Sequence, residues 1–238
     1  MSAVFVTGTD TNVGKTFVAC ALVAALRARG RRVAVMKPIE TGVVDEPADA
    51  LALRRAADDC APLHAICPVR LRAPLAPSVA ARLEGRTIDT EDLVRRIETR
   101  AGEADLLLVE GAGGLLVPIA GTFTFADLAS RCALPAVIVS ANRLGTVNHT
   151  ALTARVAGSV GLAVRGFVLS QVAPATDESA ASNAGEITAL TGLRCLGVLP
   201  HLARPCDAAG LLDVDGLLPE SARSSSTTHR FDRAPGVD

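Results

Sequence analysis

Short apolar runs recur along the chain at intervals that suit buried strands. They are rich in Val, Leu and Ile and nearly continuous rather than alternating, and they cover residues 3–6, 33–36, 106–109, 136–139, 164–169 and, less regularly, 195–199. Runs without a polar face are typical of parallel strands that are covered by helices on both sides. The pattern therefore predicts six strands of one buried sheet.

The segments between these runs have helical periodicity. Predicted helices cover residues 15–29, 48–57, 90–101, 147–159 and 179–190. Strands that alternate with helices indicate crossover connections and a parallel sheet. We predict an α/β fold with a doubly wound, mostly parallel sheet flanked by helices, as a single domain over residues 1–219. Residues 220–238 are rich in Ser and lose apolar periodicity, which predicts a disordered tail.

A glycine-rich loop separates the first predicted strand from the first helix. It contains Gly8 and ends in Gly14, Lys15 and Thr16. A P-loop needs glycines so that main-chain N–H groups can approach phosphate, a lysine for the β and γ phosphates, and a hydroxyl for Mg²⁺. The standard spacing would place the first glycine at residue 9, so this is a variant loop. Its strand–loop–helix context predicts nucleotide binding.

Polar residues also follow the other predicted strands. Lys37 follows the second strand and Glu110 the third, and a polar loop over residues 142–149 follows the fourth. The carboxyl ends of parallel strands meet at one edge of a sheet, where ligands bind. Lys37 is either a second cation for phosphate or a surface lysine. Glu110 either completes a Mg²⁺ shell begun by Thr16, or pairs with Lys37 or caps a turn.

Composition and charge narrow the choice of partners. Lys and Arg number 24 against 25 for Asp and Glu, so no strong field attracts nucleic acid or an anionic membrane. Six scattered cysteines and four scattered histidines lack the spacing of a zinc site. With no basic and apolar leader and no uncharged apolar run approaching 18 residues, we expect a cytoplasmic protein that binds neither nucleic acid nor membrane.

Five motifs in order resemble the dethiobiotin synthetase family of the P-loop NTPase superfamily. The resemblance runs from residue 1 to about residue 202, and its motifs are Thr7-Gly-Thr-Asp-Thr-Asn-Val-Gly-Lys-Thr16, Lys37-Pro-Ile-Glu-Thr-Gly42, Val109-Glu-Gly-Ala-Gly-Gly114, Thr122-Phe-Thr-Phe-Ala-Asp127 and Leu144-Gly-Thr-Val-Asn-His-Thr150. It implies a homodimeric ligase of biotin biosynthesis that uses ATP and Mg²⁺. The implied reaction joins 7,8-diaminononanoate and CO₂ to form dethiobiotin, through a carbamate and a carbamic–phosphoric anhydride.

The resemblance also assigns roles to individual residues. It implies catalytic roles for Lys15, Lys37 and Thr11 and metal binding by Thr16, Asp49 and Glu110. The implied nucleotide contacts are Asn12, Val13, Gly14, Lys15, Thr16 and Phe17, with Ser170, Gln171, Pro200 and Leu202 around the base. The implied substrate contacts are Thr41, Pro77, Ser78, Glu110, Gly111 and Gly113, with Leu144, Gly145 and Asn148 from the opposite subunit.

Independent physical reasoning supports some of these roles and leaves others open. Free N–H groups at the predicted helix start near Val147 suit a substrate carboxylate. By position alone, Asp49 would only favour the dipole of its helix. Ser170 and Gln171 stand where the family carries Asn and Asp, so the preferred base stays open. Asn12 stands where Glu is common, which leaves the ordering of the substrate open.

Two alternatives remain at this point. A related P-loop ligase or amidoligase would keep the phosphate chemistry and act on another small acid. A partition or positioning ATPase would use nucleotide as a dimerisation switch, but such proteins typically carry an additional lysine early in the loop, where this chain has Asp10.

Overall fold

The computed structural model describes residues 2–174 and 177–217. The last two residues of the predicted domain and the predicted tail over residues 220–238 lie outside the described residues. The strands are β1 (Ala3–Gly8), β2 (Val33–Met36), β3 (Ile39–Thr41), β4 (Val69–Leu71), β5 (Leu106–Gly114), β6 (Pro118–Ala120), β7 (Phe123–Thr124), β8 (Ala136–Ala141), β9 (Val164–Ser170) and β10 (Cys195–Leu199).

All six strands that the apolar runs predict are present, and they form one parallel sheet. Its order is β10-β9-β8-β1-β5-β2, and two separate two-stranded sheets pair β3 with β4 and β6 with β7. β1 therefore lies in the middle, between β5 and β8. The prediction of a mostly parallel α/β sheet is confirmed, and the loop that follows β1 leaves the sheet at its centre.

The helices are α1 (Lys15–Ala28), α2 (Ala48–Ala57), α3 (Leu63–Ile66), α4 (Pro77–Leu83), α5 (Thr90–Arg100), α6 (Phe125–Arg131), α7 (Thr146–Ser159) and α8 (Asn183–Thr191), with 3₁₀ turns at Glu178–Ala181, Pro205–Leu211 and Asp215–Leu217. The segment predicted as one helix over residues 179–190 is instead a 3₁₀ turn followed by α8. Across the described ranges, no helix has both the length and the apolar character to cross a membrane.

Side chains of the central strand alternate between two cores. Val4 and Val6 pack into the cluster that contains much of α1, while Phe5 packs into the cluster on the opposite face. There the Phe5 and Phe125 rings stack with centroids 6.2 Å apart. All six residues of β1 are buried, as expected for a strand with helices on both sides.

β5 extends beyond its apolar run. The run ends at Val109, but pairing with β1 continues through Val6 opposite Glu110 and Gly8 opposite Gly114. Residues 110–114 are therefore strand rather than the loop that the polar sequence predicts. As a consequence, the buried Glu110 carboxylate projects from a strand of the sheet and not from a loop beyond it.

The motif around residues 122–127 has a structural function. The Thr124 hydroxyl accepts a hydrogen bond from the main-chain N–H of Asp127, and the Asp127 carboxylate accepts from the Thr124 N–H at 2.7 Å. This capping box satisfies the free N–H groups at the start of α6. It fixes the helix that carries Phe125 into the core.

Candidate active site

The loop after β1 has the geometry of a phosphate cradle. Asn12 and Gly14 have left-handed backbone conformations, with φ of 55° and 86°. None of the main-chain N–H groups of residues 12–17 has a hydrogen-bond partner among the described residues. Successive free N–H groups in such a turn, at the start of a helix, form an anion-binding concavity.

Two glycines allow this loop to close. A Cβ atom on Gly8 would lie 2.7 Å from the Asp10 carbonyl oxygen and 2.8 Å from Lys15 Nζ. Lys15 crosses this space to donate to the Asp10 carbonyl at 2.7 Å. A Cβ atom on Gly14 would lie 2.7 Å from Ser170 Oγ. Gly8 is therefore needed where the lysine folds back, which gives the displaced glycine of the variant loop a physical reason.

A buried ion cluster stands beside the cradle. Lys37 Nζ donates to Glu110 Oε1 at 2.6 Å, to Asp49 Oδ2 at 2.8 Å and to the Gly111 carbonyl at 3.2 Å. The Thr16 hydroxyl donates to the same Glu110 oxygen at 2.8 Å. The Lys37 side chain is 3% exposed and that of Glu110 is fully buried. Lys37 is therefore not a surface lysine, and β2, β5, α1 and α2 meet at this point.

Attraction between opposite charges in the cluster keeps Lys37 and Asp49 ionised. Burial disfavours the charged form of Lys37, but the carboxylates of Glu110 and Asp49 outweigh burial and raise the pKa of Lys37. Burial would raise the pKa of Asp49, yet attraction to Lys37 holds it below its ordinary value. Burial, followed by repulsion from Lys37, lowers the pKa of Lys15 to about 8.

Glu40 positions Asp49, and this role of Glu40 was not predicted from the sequence. Its carboxylate accepts from the main-chain N–H groups of Asp49 and Ala50, each at 3.0 Å. The residue before α2 is Pro47, whose side chain cannot cap the helix, so the cap comes from β3. Burial raises the pKa of Glu40, although these two hydrogen bonds oppose the shift. The available signal was an acid directly after Ile39, in the same short segment as Lys37.

The oxygen atoms of the cluster fit a magnesium ion. Glu110 Oε2 is buried and has no hydrogen-bond partner among the described residues. Such an orphaned charged oxygen is costly unless a cation completes it. Two carboxylates and a hydroxyl are hard oxygen ligands of the kind that Mg²⁺ prefers. Thr16, Asp49 and Glu110 therefore form a suitable donor set.

Half of the predicted site residues line one cavity of about 320 Å³. It brings together Thr11, Asn12, Gly14, Lys15, Thr16, Phe17, Lys37, Thr41, Asp49, Glu110 and Gly113, with Glu40 and Ala112 in addition. Gly111 contributes its carbonyl to Lys37. Val13 is 2% exposed and its side chain packs into the core, so only its main-chain N–H belongs to the cradle.

A second cavity of about 300 Å³ adjoins the first and shares Asn12, Gly14 and Phe17 with it. It contains all four predicted base contacts, Ser170, Gln171, Pro200 and Leu202, together with Val172 and His201, which were not predicted. The Gln171 amide donates to the Pro174 carbonyl at 3.1 Å. Its N–H groups are thus partly committed within its own turn.

Other predicted substrate contacts lie apart from these cavities. Leu144 is 81% exposed, and Gly145, with φ of 91°, precedes α7. The N–H groups of Val147 and Asn148 have no partner within the described ranges. Pro77 and Ser78 form the first turn of α4 and line none of the cavities described here.

An apolar groove of about 420 Å³ runs from the cradle to α7. It shares Thr11 and Gly113 with the first cavity, and its outer wall includes Leu116, Leu152 and Val156. Leu116 is 61% exposed and Leu152 is 54% exposed. The groove was not predicted because its residues come from three separate segments.

Comparison with solved structures identifies the fold. The MinC:MinD cell division protein complex of Aquifex aeolicus aligns with a TM-score of 0.52 at 15% identity, covering 88% of this chain and 85% of that chain. FtsY from Mycoplasma mycoides aligns with a TM-score of 0.52 at 14% identity, covering 91% and 66%. At such identities the likeness concerns the fold alone. The predicted P-loop NTPase-like fold is confirmed.

Comparison of sequences identifies the family. The family described as "AAA domain" matches residues 2–205. The ATP-dependent dethiobiotin synthetase of Anaeromyxobacter dehalogenans (strain 2CP-1) is 51% identical over 201 residues, which are 84% of this chain and 90% of that protein. The enzyme of the same name from Bacillus licheniformis is 40% identical over 206 residues, 85% and 87% of the two chains. The resemblance predicted from five motifs is confirmed, and the chain belongs to the dethiobiotin synthetase family.

Proposed function

We propose that this protein is a ligase that converts 7,8-diaminononanoate, CO₂ and ATP into dethiobiotin in biotin biosynthesis. The observation that carries the proposal is the Lys37, Glu110 and Thr16 cluster beside a cradle of free N–H groups, in a chain of this family. Such a site binds a triphosphate and stabilises charge that develops next to it.

The reaction proceeds in three steps. One substrate amine adds to CO₂ and releases a proton, which gives a carbamate. A carbamate oxygen attacks the γ-phosphorus and ADP leaves, which gives a carbamic–phosphoric anhydride. The second amine then attacks the carbamate carbon, phosphate leaves with the bonding electron pair, and the amine proton is released as the ureido ring closes.

Residues of the site have distinct tasks in these steps. The N–H groups of residues 12–17 and the Lys15 ammonium hold the phosphates. The Lys37 ammonium, already directed at the Gly111 carbonyl and Glu110, faces the carbamate end and neutralises charge as the phosphoryl group moves. Thr11 and Thr41, which line the same cavity, orient the carbamate. These contacts act mainly by position and electrostatics.

Thr16, Asp49 and Glu110 would hold Mg²⁺ in this site. When bound, the ion neutralises the phosphate oxygens and orients the triphosphate. Glu40 supports this set because it caps the helix that carries Asp49.

We further propose a homodimer in which the loop before α7 serves the opposite subunit. Leu144, Gly145 and Asn148 line neither cavity that contains the cradle of their own subunit, and Leu144 is 81% exposed. The free N–H groups of Val147 and Asn148 suit the carboxylate tail of the substrate. The exposed groove around Leu116 and Leu152 offers apolar surface for the subunit contact and the alkyl chain. We place the enzyme in the cytoplasm, where ATP is available and the free thiols of Cys20 and Cys67 stay reduced.

The test is mass-spectrometric detection of dethiobiotin from the purified protein with 7,8-diaminononanoate, bicarbonate, Mg²⁺ and ATP. Dethiobiotin, ADP and phosphate should form in equal amounts. A Lys15→Met variant should form none of the three. Folded protein that binds ATP without forming product would overturn the proposal in favour of a related ligase.

A further inference from the structure

The loop that precedes α7 is held by a segment far along the chain. Residues 142–145 leave β8, and the segment from Asp177 to Asn183, which precedes and begins α8, folds against them. The loop carries Leu144 and Gly145 and ends at the free N–H groups of Val147 and Asn148. Its shape therefore decides where those N–H groups point.

We call the segment over residues 177–183 the brace, because it supports this loop, and Asn183 is its central contact. Its side chain is 3% exposed, and its amide nitrogen lies 2.9 Å from Asn142 Oδ1, 3.2 Å from Ser179 Oγ and 3.3 Å from the Arg143 carbonyl oxygen. The Asn142 amide in turn donates to the Ala180 carbonyl at 3.3 Å. Two buried amides thus bond each other and the main chain of both segments, and a buried polar group is costly unless it is satisfied in this way.

Asp177 provides a second anchor at the outer end of the loop. Its Oδ2 atom accepts from the Leu144 N–H at 2.7 Å, while its Oδ1 atom accepts from the N–H of Ser179 at 2.9 Å and from the Ser179 hydroxyl. The Asn142 N–H donates to the Ser170 carbonyl at 2.9 Å. The loop is therefore fixed at its start, middle and end by groups outside it.

The brace leaves a defined set of donors unused. Leu144 N–H is committed to Asp177, and Thr146 N–H to the Arg143 carbonyl at 3.2 Å, whereas those of Val147 and Asn148 have no partner among the residues described. An anion at the first turn of α7 would satisfy both of these donors together. A loop free to change shape would spend binding energy on ordering this turn.

We propose that Asn183 is a positioning residue that holds the loop before α7 in the shape that binds the substrate carboxylate. Asn183 does not touch the substrate and acts through Asn142 and the Arg143 carbonyl. This inference rests on the proposed function, because the proposed function assigns the substrate tail to this loop.

The test separates positioning of the tail from general damage. Asn183→Leu keeps the number and branching of the side-chain heavy atoms and removes its hydrogen bonds, and Glu186→Ala, an exposed position on the same helix, is the matched control. Each variant is assayed with 7,8-diaminononanoate and with octane-2,3-diamine, the same vicinal diamine without the carboxylate. Thermal unfolding and the KM for ATP are measured alongside.

Asn183→Leu should raise the KM for the acid about tenfold, because the loop that has lost its buried hydrogen bonds must be ordered at the expense of binding free energy, and such a bond corresponds to roughly that factor. Its kcat/KM for octane-2,3-diamine and its KM for ATP should stay within about twofold of the parent values. If the variant does not fold, Ser179→Ala removes one partner of Asn183 and one donor to Asp177 at a half-exposed position, so it loosens the same contacts, and a smaller rise confined to the acid is expected.

The outcomes distinguish the two proposals. Equal losses with both diamines, or no loss with the acid, overturn the role of Asn183 and leave the synthetase function standing. A parent enzyme that does not prefer the acid over octane-2,3-diamine overturns the tail site and the role of Asn183 with it. Product from neither diamine overturns the proposed function and this inference together.

Discussion

Replacing Lys37 by Met would remove the cation that joins Glu110 to Asp49. The Lys37 ammonium lies 2.6 Å from Glu110 Oε1 and 2.8 Å from Asp49 Oδ2, and both the lysine and Glu110 are buried. Without it, the Glu110 carboxylate keeps the Thr16 hydroxyl and no neighbouring cation at this distance. Breaking a buried ion pair by removing one partner costs about 3–5 kcal/mol.

This cost is large enough to measure by thermal unfolding. For a domain of this size, each kcal/mol corresponds to about 2–4 °C in Tm. Lys37→Met should therefore lower Tm by roughly 6–20 °C in buffer with EDTA. Addition of Mg²⁺ and ATP should recover more of this loss than the same ligands add to the parent protein, because the freed carboxylates are the proposed metal ligands. Turnover should fall by about two to three orders of magnitude with or without recovered stability.

A second variant distinguishes charge from packing. The double variant Lys37→Met with Glu110→Gln removes both charges at nearly constant volume, so it should regain most of the lost stability while staying inactive. Calorimetry of the parent, the single variant and the double variant in EDTA completes the comparison. If Lys37→Met alone leaves Tm unchanged, Glu110 is not an uncompensated charge, and the reasoning from the ion cluster is refuted.

Three further changes test other parts of the site. Glu40→Gln keeps one of the two acceptors that cap α2 and should hold Asp49 less firmly. The Mg²⁺ concentration for half-maximal activity should therefore rise about tenfold. An unchanged Mg²⁺ titration would argue against a positioning role for Glu40. Gly8→Ala would place a Cβ atom 2.8 Å from Lys15 Nζ, and the affinity for ATP measured by calorimetry should fall at least about tenfold. The control Gly158→Ala, whose Cβ atom would meet no atom within 4 Å, should leave this affinity unchanged. Equal affinities of the two variants would contradict the position of the lysine over Gly8. Gln171→Ala should change the KM for ATP by less than about threefold, since its amide already donates to Pro174, and a tenfold rise in a steady-state assay would mean that Gln171 reads the base.

The sheet could be predicted because its strands are apolar on both faces. Val4 and Val6 face one core and Phe5 the other, so the run shows no polar alternation and still predicts a strand. The same rule placed the end of β5 at Val109, because an acid and glycines ordinarily end such a run. Glu110 continues the strand and stays buried because Lys37 and Thr16 supply partners for its carboxylate, and such tertiary contacts leave no local pattern.

The site was predictable where contacts lie within a motif and not where they join distant segments. The P-loop residues and Lys37 follow strands directly, so their position in the sequence places them at the sheet edge. Glu40 caps α2 from β3, and Asn183 reaches a loop about forty positions earlier, in each case through a contact that depends on the complete fold. The sequence could name Asp49 as an acid near a helix start, but only the cap from Glu40 explains why it faces the cluster.

The close contact between Gly14 and Ser170 sets a fixed length in the nucleotide site. A Cβ atom on Gly14 would come within 2.7 Å of Ser170 Oγ, so the loop after β1 and the proposed base pocket after β9 are in contact, each at the end of a strand of the same sheet. Their separation is therefore set by the fold. In the proposed function, this spacing favours nucleotides whose sugar and phosphates span it, before the identity of the base is read.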